Sequence, residues 1–482
     1  MEYDFDVLIV GAGPAGMAAA VRAAELGARV GVVERARLGG TCVNSGCVPT
    51  RVLAKTARLY REVRTAYDYG IVVAEPSVDW PQIVRRVRST VDRVLAAKGY
   101  DDVVARLGIT LLTGDASFAD SHTLTVGGRP VTAGSVILCV GGSARRLPIP
   151  GAEHAVLPPD ILDLPDLPGA IAVIGGGHTG AQLATIFHAL GSRVLLLDLA
   201  PRILTTEDAD VSAAVTDGFR TRGVRVETGI AGIDHITKDD DGLRLHWRNA
   251  SGEHVEVMDA VVMAAGWPAN IDSLDLPAAG IQAQRNAIPV DDYLRSNIPH
   301  VFVAGDANGS SMLVQAAVFE GETAAENAVL GAHRTTPHHL LPAGGFTDPD
   351  YAGVGLTEEA ARQRDREAAV VVVPYGEVER PIIDDREQGF LKLVLDRHRE
   401  LILGAHAVGE NAVEVIQAVA AAMAAGTDVA TLARVKFAYP TYTAIIGVAA
   451  RAALRRPPGD PGDSGDSERP SAPASPSLSQ HQ

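Results

Sequence analysis

The residues of this chain best placed to do chemistry are two cysteines, Cys42 and Cys47, in the stretch G-G-T-C-V-N-S-G-C-V-P-T-R from Gly39 to Arg51. Five residues apart and with no second ligand pair, they lack the spacing of a zinc site. On a regular helix, positions i and i+5 are separated by about 7.5 Å of rise, whereas a disulfide needs its Cα atoms within about 7 Å. Bridging them requires a distorted first helical turn, which Gly46 and a stop at Pro49 would allow. A helix N-terminus favours thiolate over thiol, so the pair can serve as a redox couple; two buried structural thiols are the alternative. Cys139, inside the apolar run V-I-L-C-V-G-G, reads as a core residue.

Two glycine clusters flank this stretch. Gly11, Gly13 and Gly16 follow the apolar V-L-I-V and precede an Ala-rich segment, and a second apolar run ends at Glu34. In such a strand–turn–helix unit the first glycine permits the tight turn, the second lets the backbone approach a pyrophosphate, and the third lets helix pack on strand. The helix N-terminus offers free N–H groups to phosphate, and the terminal acid suits a ribose hydroxyl. Gly175, Gly177, Gly180 and Asp198 repeat the unit at one constant offset, which also carries Gly27 onto Gly191 and Arg29 onto Arg193. The chain is therefore expected to bind two dinucleotides. Asp198 favours NADH over NADPH, because a carboxylate accepts from a 2′-hydroxyl and repels a 2′-phosphate. Arg202 would weaken that preference unless it belongs to the helix-entry loop.

The elements that must position these residues are those of an α/β protein. A length of 482 residues corresponds to two to four domains at roughly 100–200 residues each. Hydrophobic residues at 46% and charged residues at 21% describe a chain that mostly folds. Aromatics are only 5% against 49 glycines and 28 prolines, which favours α/β architecture with many tight turns. With 43 basic and 59 acidic residues the net charge is −16, against the basic stripe that nucleic acid requires. Three cysteines do not make a secreted disulfide scaffold. The start M-E-Y-D-F-D has no basic n-region of a signal peptide. The longest stretch free of Asp, Glu, Lys and Arg, Leu167 to Ser192, contains Gly-Gly-Gly and two histidines. It reads as strand, turn and helix rather than a membrane span. A cytoplasmic protein with no nucleic-acid or membrane partner and no metal site is expected. The end of the chain, from Pro457, is rich in Pro, Ser, Gly and Asp. It cannot bury enough surface to offset its ordering entropy and is expected to be disordered.

Taken together, the two glycine fingerprints and the Gly-Gly-Thr-Cys pair resemble the FAD-dependent pyridine nucleotide–disulfide oxidoreductases. That group includes dihydrolipoamide dehydrogenase, glutathione reductase and mercuric reductase. V-F-V-A-G-D-A (Val301 to Ala307) is similar to the motif whose aspartate, here Asp306, binds the flavin ribityl chain. Phe346 to Glu358 and Leu401 to Gly409 are similar to the family's dimerisation domain. The resemblance covers about residues 4–455 and implies an α/β fold: two Rossmann-like dinucleotide-binding domains plus a C-terminal α+β dimerisation domain. The implied divisions are an FAD-binding domain over 1–150, completed by 268–345, an NAD-binding domain over 151–267, an interface domain over 346–455 and a tail over 456–482. The implied activity is electron transfer from NAD(P)H through FAD and a Cys42–Cys47 disulfide to a small-molecule acceptor, in a homodimer. Cys47 would be the flavin-facing thiolate, and Cys42 the interchange thiol that attacks the substrate through a mixed disulfide. The implied cofactor-binding residues are Gly11, Gly13, Gly16, Glu34, Gly40, Thr41, Arg51, Asp306, Gly175, Gly177, Gly180, Gln182 and Asp198.

The chain also departs from that pattern. The family's disulfide reductases end with His-Pro-Thr-x-x-Glu, whose histidine serves the partner subunit's interchange thiol; here the stretch is Tyr439-Pro440-Thr441-Tyr442-Thr443-Ala444. A phenol titrates near 10 against about 6.5 for imidazole. General acid–base help is worth about 10²–10⁴ in rate, so efficient lipoamide or glutathione turnover is not expected. A phenol still donates a hydrogen bond to a substrate oxygen, the role expected for Tyr439, while Tyr442 is expected to pack. The family's lysine–glutamate pair is Arg51 and Gln182, the tyrosine that gates the nicotinamide pocket is His178, and Gly-Arg-x-Pro-Asn reads Gly266-Trp267-Pro268-Ala269-Asn270. Mercuric reductase is disfavoured because Pro457 to Gln482 holds no cysteine pair. The soluble transhydrogenases carry a similar Tyr-Pro-Thr but lose the second cysteine, which this chain keeps. The acceptor is therefore expected to be a small disulfide, a quinone or a soft metal ion. Two rival readings are a flavin-dependent tailoring enzyme that oxidises a metabolite with O₂, and a flavin-bound subunit that only binds partners.

Overall fold

Each glycine fingerprint folds as strand, turn and helix. The strand Phe5–Val10 turns at Gly11 into the helix Pro14–Glu25 and returns as the strand Val30–Glu34. The second unit runs Ala170–Ile174, His178–Ala189 and Arg193–Asp198. The repeat holds down to single hydrogen bonds. Glu34 accepts from the N–H groups of Ala12 (2.9 Å) and Ala36 (2.8 Å); Asp198 accepts from those of Gly176 (2.5 Å) and Ala200 (2.7 Å). The structure is a computed structural model that describes residues 2–240, 242–331, 333–337 and 340–455. The tail beyond Arg455 lies outside the described residues.

Around the first unit, the strands Thr110–Thr113, Val30–Glu34, Phe5–Val10, Arg129–Leu138 and Val301–Val303 lie side by side and parallel. The short strands Thr123–Val126 and Ala116–Phe118 extend this sheet antiparallel. Around the second unit, Ala260–Met263, Ala170–Ile174, Arg193–Asp198 and Arg225–Thr228 form a parallel sheet. Successive strand residues face opposite sides, and both sides are covered. Ile171, Val173, Val194 and Leu196 pack under helices that include His178–Ala189. Ala172, Ile174, Leu195 and Leu197 pack against the antiparallel meander Gly232–Asp239, Gly242–Asn249 and Gly252–Met258. Burial on both faces explains why these strands read as continuous apolar runs.

The third sheet is antiparallel, in the order Ala343–Gly345, Tyr351–Gly355, Ile402–Val408, Phe390–Leu395 and Ala369–Pro374. The helices Ala412–Ala424 and Ala444–Arg455 cover it. Lys392 on this sheet is 2% exposed and bonds Asp208 (2.9 Å), Asp210 (2.7 Å) and Glu358 (2.6 Å). That cluster joins the third sheet to the helix Ala209–Thr221, which packs on the second.

The cysteine stretch departs from its expected local form. A short helix, Gly40–Asn44, carries Cys42, and a separate helix, Cys47–Arg64, begins at Cys47 with Gly46 as its N-cap. The break falls at Ser45–Gly46, and Pro49 stops nothing: it sits in the first turn of the second helix. In a first turn the missing proline N–H removes no helical hydrogen bond.

Candidate active site

Cys42 and Cys47 face one another across this break, with their side chains hydrogen-bonded. Two left-handed glycines, Gly39 (φ 93°) and Gly40 (φ 58°), turn the chain into the short helix. Gly40 lies against the first fingerprint: a Cβ built on it would stand 2.8 Å from the Cα of Gly13. The two thiols are unequal. The hydrogen bond from Cys42, aided by the Arg51 guanidinium, lowers the Cys47 thiol to about 7 against the opposing effect of burial. The same hydrogen bond, burial and the charge on Cys47 hold the Cys42 proton in place. Of the two, Cys47 is the readier thiolate and Cys42 the holder of the proton.

Arg51 follows one turn after Cys47 on the same helix. Its guanidinium donates to the side-chain oxygen of Gln182 and lies over the Phe346 ring, 3.5 Å from the centroid. Gln182 in turn donates to the carbonyl of His178 (2.8 Å). His178 is fixed through both ring nitrogens: Nδ1 stands 2.7 Å from the Tyr351 hydroxyl, and Nε2 stands 3.2 Å from Thr206 Oγ1 and 3.5 Å from Glu207. Burial lowers His178. Burial and the neighbouring Asp208 push Glu207 up to about 7.

These groups open onto one continuous cavity of about 1280 Å³, larger than the 300–1,000 Å³ or so of an ordinary small-molecule site. Most of the residues singled out from the sequence line it: Gly11, Gly13, Glu34, Gly40, Thr41, Cys42, Cys47, Arg51, Asp306, Gly175, Gly177, Gln182 and Asp198. Gly16 and Gly180 lie beneath it, where a Cβ would come 1.8 Å from the carbonyl oxygens of Gly11 and Gly175. They let each helix sit on its own turn. At Gly13 and Gly177, by contrast, no atom lies closer than 3.9 Å to an added Cβ. The backbone is bare at the two places where a pyrophosphate needs close approach, so both turns suit a dinucleotide.

Other side chains hold the site from behind. Glu320, fully buried, accepts from the Gly305 N–H (2.6 Å) and the Asn308 amide (2.8 Å), which fixes the turn that presents Asp306. Burial raises the Asp306 carboxyl. Arg202 spends its guanidinium on the carbonyls of Leu204, Thr205 and Glu207 (3.0–3.3 Å) and so belongs to the loop entering the next helix. Phe346 and Tyr351 entered the sequence reading only within the stretch similar to the dimerisation domain, and Glu207 and Glu320 escaped it. Only Glu320 left a signal there, as an acid amid the small residues of V-Q-A-A-V-F-E-G-E-T-A-A.

Tyr439 is not brought to the thiols within one chain: it is 76% exposed and does not line the cavity. Tyr442 is packed, as expected, and its hydroxyl donates to Asp384 (3.0 Å). Among the described residues no His, Cys, Asp and Glu side chains cluster to hold a metal, and no helix is long and apolar enough to cross a membrane.

Comparison with known proteins places this geometry among relatives. Residues 5–321 match the family described as "Pyridine nucleotide-disulphide oxidoreductase" and residues 341–450 match its dimerisation domain. A mercuric reductase of Bacillus cereus is 31% identical over 443 residues, 91% of this chain and 70% of that protein. A dihydrolipoyl dehydrogenase of Zymomonas mobilis is 32% identical over 472 residues, 95% of this chain and 99% of that one. Among solved structures, the HOCl-induced flavoprotein disulfide reductase RclA from Escherichia coli superposes with a TM-score of 0.82 at 25% identity, covering 92% of this chain and 99% of that one.

Proposed function

Because the chain belongs to the pyridine nucleotide-disulphide oxidoreductase family of flavoproteins, using FAD and NAD(P)H, we propose that it reduces an acceptor with electrons from NADH through the Cys42–Cys47 pair, without a histidine base. The observation that carries this reading is the single cavity in which both glycine turns and both thiols meet.

FAD, when bound, supplies the two-electron conduit between a nicotinamide and the disulfide. Gly11, Gly13, Glu34, Gly40, Thr41 and Asp306 would hold it; Gly175, Gly177, Gln182 and Asp198 would hold the nicotinamide nucleotide. Gly16 and Gly180 seat the two helices on these turns. The Asp198 carboxylate, with the Arg202 guanidinium turned to backbone carbonyls, presents negative charge where a 2′-phosphate would sit, which supports NADH. Cys47 keeps the negative charge of the reduced pair, and Cys42, on giving up its proton to solvent, attacks the acceptor. A quinone and a soft metal ion need no imidazole, and a small disulfide qualifies where its leaving thiol departs as the thiolate without a general acid. The exposed loop at Tyr439, within the match to the dimerisation domain, supports a homodimer in which Tyr439 donates a hydrogen bond at the partner's thiols. The proposed divisions are 1–150 with 268–345 for FAD, 151–267 for NAD and 346–455 for the interface, in a cytoplasmic protein.

The test is anaerobic titration of the purified yellow protein with NADH and then NADPH, followed by absorbance. A long-wavelength band after two electrons, stronger per equivalent of NADH, is expected. Cys42→Ser should retain bleaching by NADH while losing at least 100-fold in acceptor turnover. No bleaching by either nucleotide overturns the reading and leaves the O₂-dependent oxidation of a metabolite, testable by oxygen uptake without nicotinamide.

A further inference from the structure

We propose that Arg51 is an uncompensated cation that holds Cys47 as the thiolate of the reduced pair, and that the neutral side chain of Gln182 keeps it so. The inference rests on the reading of Cys42–Cys47 as the redox pair and concerns what sets its protonation.

Three arginines of the helix Cys47–Arg64 reach side chains of other segments, and they are partnered differently. Arg58 bonds Asp350 (3.2 Å) and Glu410, and Arg61 bonds Asp348 (2.5 Å). Those two charges are spent on carboxylates. Arg51 forms no ion pair with a carboxylate among the described residues; its partners are the Gln182 amide oxygen and the Phe346 ring. It is also the arginine closest along the helix to Cys47, and positions i and i+4 share a helix face. A guanidinium stays protonated at any working pH, so its field at the sulfur does not fade as the solution is made alkaline.

The other charged and titratable groups leave this effect standing. Cys42, from the short helix, donates to Cys47, and Lys98, from the helix Trp80–Lys98, acts on Cys42. Asp306, from the turn Gly305–Asn308, opposes the thiolate but is itself raised by burial. Tyr351 and Asp350 act on Arg51 without bonding it, and Asp350 is paired with Arg58. His178, behind Gln182, is kept neutral by burial. Reduction of the pair takes two electrons and one proton: the S–S bond breaks, the proton goes to Cys42, and Cys47 is left as S⁻ beside Arg51. An opposite charge within a few ångströms of an ionisable group shifts it by about 1–3 pH units. A carboxylate at position 182 would cancel much of that field at the sulfur.

The test uses the full-length flavin-loaded protein, reduced anaerobically by a phosphine so that no nucleotide is involved. The ultraviolet absorbance of thiolate, measured as reduced minus oxidised, is followed against pH. Gln182→Glu should raise the thiolate midpoint by about one unit, so that the thiolate present a unit below the original midpoint falls several-fold. Gln182→Met, which removes the hydrogen bond but adds no charge, should leave the midpoint within about 0.3 unit. Retained flavin and far-ultraviolet circular dichroism establish that both variants fold. An unchanged midpoint in Gln182→Glu, or equal shifts in both variants, overturns the proposal. Failure of NADH to reduce the pair would overturn the proposed function instead and leave this titration intact.

Discussion

Under the proposed function, Asp198 would set the nucleotide preference through both its charge and its position. Both its oxygens accept from backbone N–H groups of the turn and the following loop, which fixes the carboxylate in the lining of the cavity. Asp198→Asn keeps an acceptor oxygen and removes the charge. Hydrogen bonds to charged groups are worth about 1.5–3 kcal/mol, so kcat/KM for NADH should fall about tenfold or more. That for NADPH should rise or hold, which steady-state kinetics with both nucleotides will show. A variant with unchanged NADH selectivity would remove Asp198 from the discrimination. The same dependence on position separates the two thiols. Cys42 and Cys47 are chemically alike in the sequence, and a hydrogen bond and a guanidinium make one the better thiolate.

At the scale of elements, the helix Cys47–Arg64 carries the site. Pro49, Val52, Leu53 and Ala57 are buried along one stripe, the spacing of an amphipathic helix, and Val52, Leu53 and Ala57 enter the core that contains Phe187 of the second fingerprint helix. Phe187 is fully buried and its ring lies 5.9 Å from that of Trp80. Phe187→Ala should destabilise the protein by about 3–5 kcal/mol, measured by denaturant unfolding. Because Phe187 shares that core with Val52 and Leu53 of the helix, under the proposed function NADH-driven reduction should slow more than reduction by a phosphine. An equal effect on both would mean that the packing stabilises the fold without aligning the site. The stripe could be read from the sequence as apolar spacing; its partner could not, since Leu53 and Phe187 are brought together only by the fold.

For the whole molecule, buried titratable groups make stability depend on pH. Burial holds His178, His188, His246, His300 and His406 below their ordinary range. The unfolded chain takes up protons at about 6.5 where these sites do not, so their contribution is complete above that pH and is lost as pH falls through it. Glu207 and Asp350, each pushed up to about 7 by burial, act with the opposite sign, since the folded state already binds their protons near neutrality. Between pH 7 and pH 5 the two sets oppose one another, so the histidine contribution is read by removing one histidine and comparing the loss of melting temperature on acidification with that of the wild type. His406 is buried, its Nε2 bonds the Leu356 carbonyl (2.9 Å), and its Nδ1 has no hydrogen-bond partner among the described residues. His406→Gln can keep the first bond and cannot charge, so its melting curve should be flatter over that range. An equally steep decline would locate the protons elsewhere.

The sequence by itself determined what depends on local pattern. Glycines at matched spacings, each ending in an acid, declared two nucleotide turns, and the structure repeats even the hydrogen bonds of Glu34 and Asp198. The paired cysteines, the parallel-sheet strands and the resemblance to a flavoprotein family were legible for the same reason: neighbours in the chain are neighbours in space. Even there, local pattern misjudged Pro49, because a proline stops a helix only beyond its first turn. Tertiary structure alone decided which charges meet. It set Arg51 against Gln182 and Phe346, gave Arg58 and Arg61 to carboxylates of the loops beside the third sheet, turned Arg202 to the backbone and left Tyr439 facing outward. Electrostatics acts through distance and burial, and neither is written in the spacing of residues along a chain.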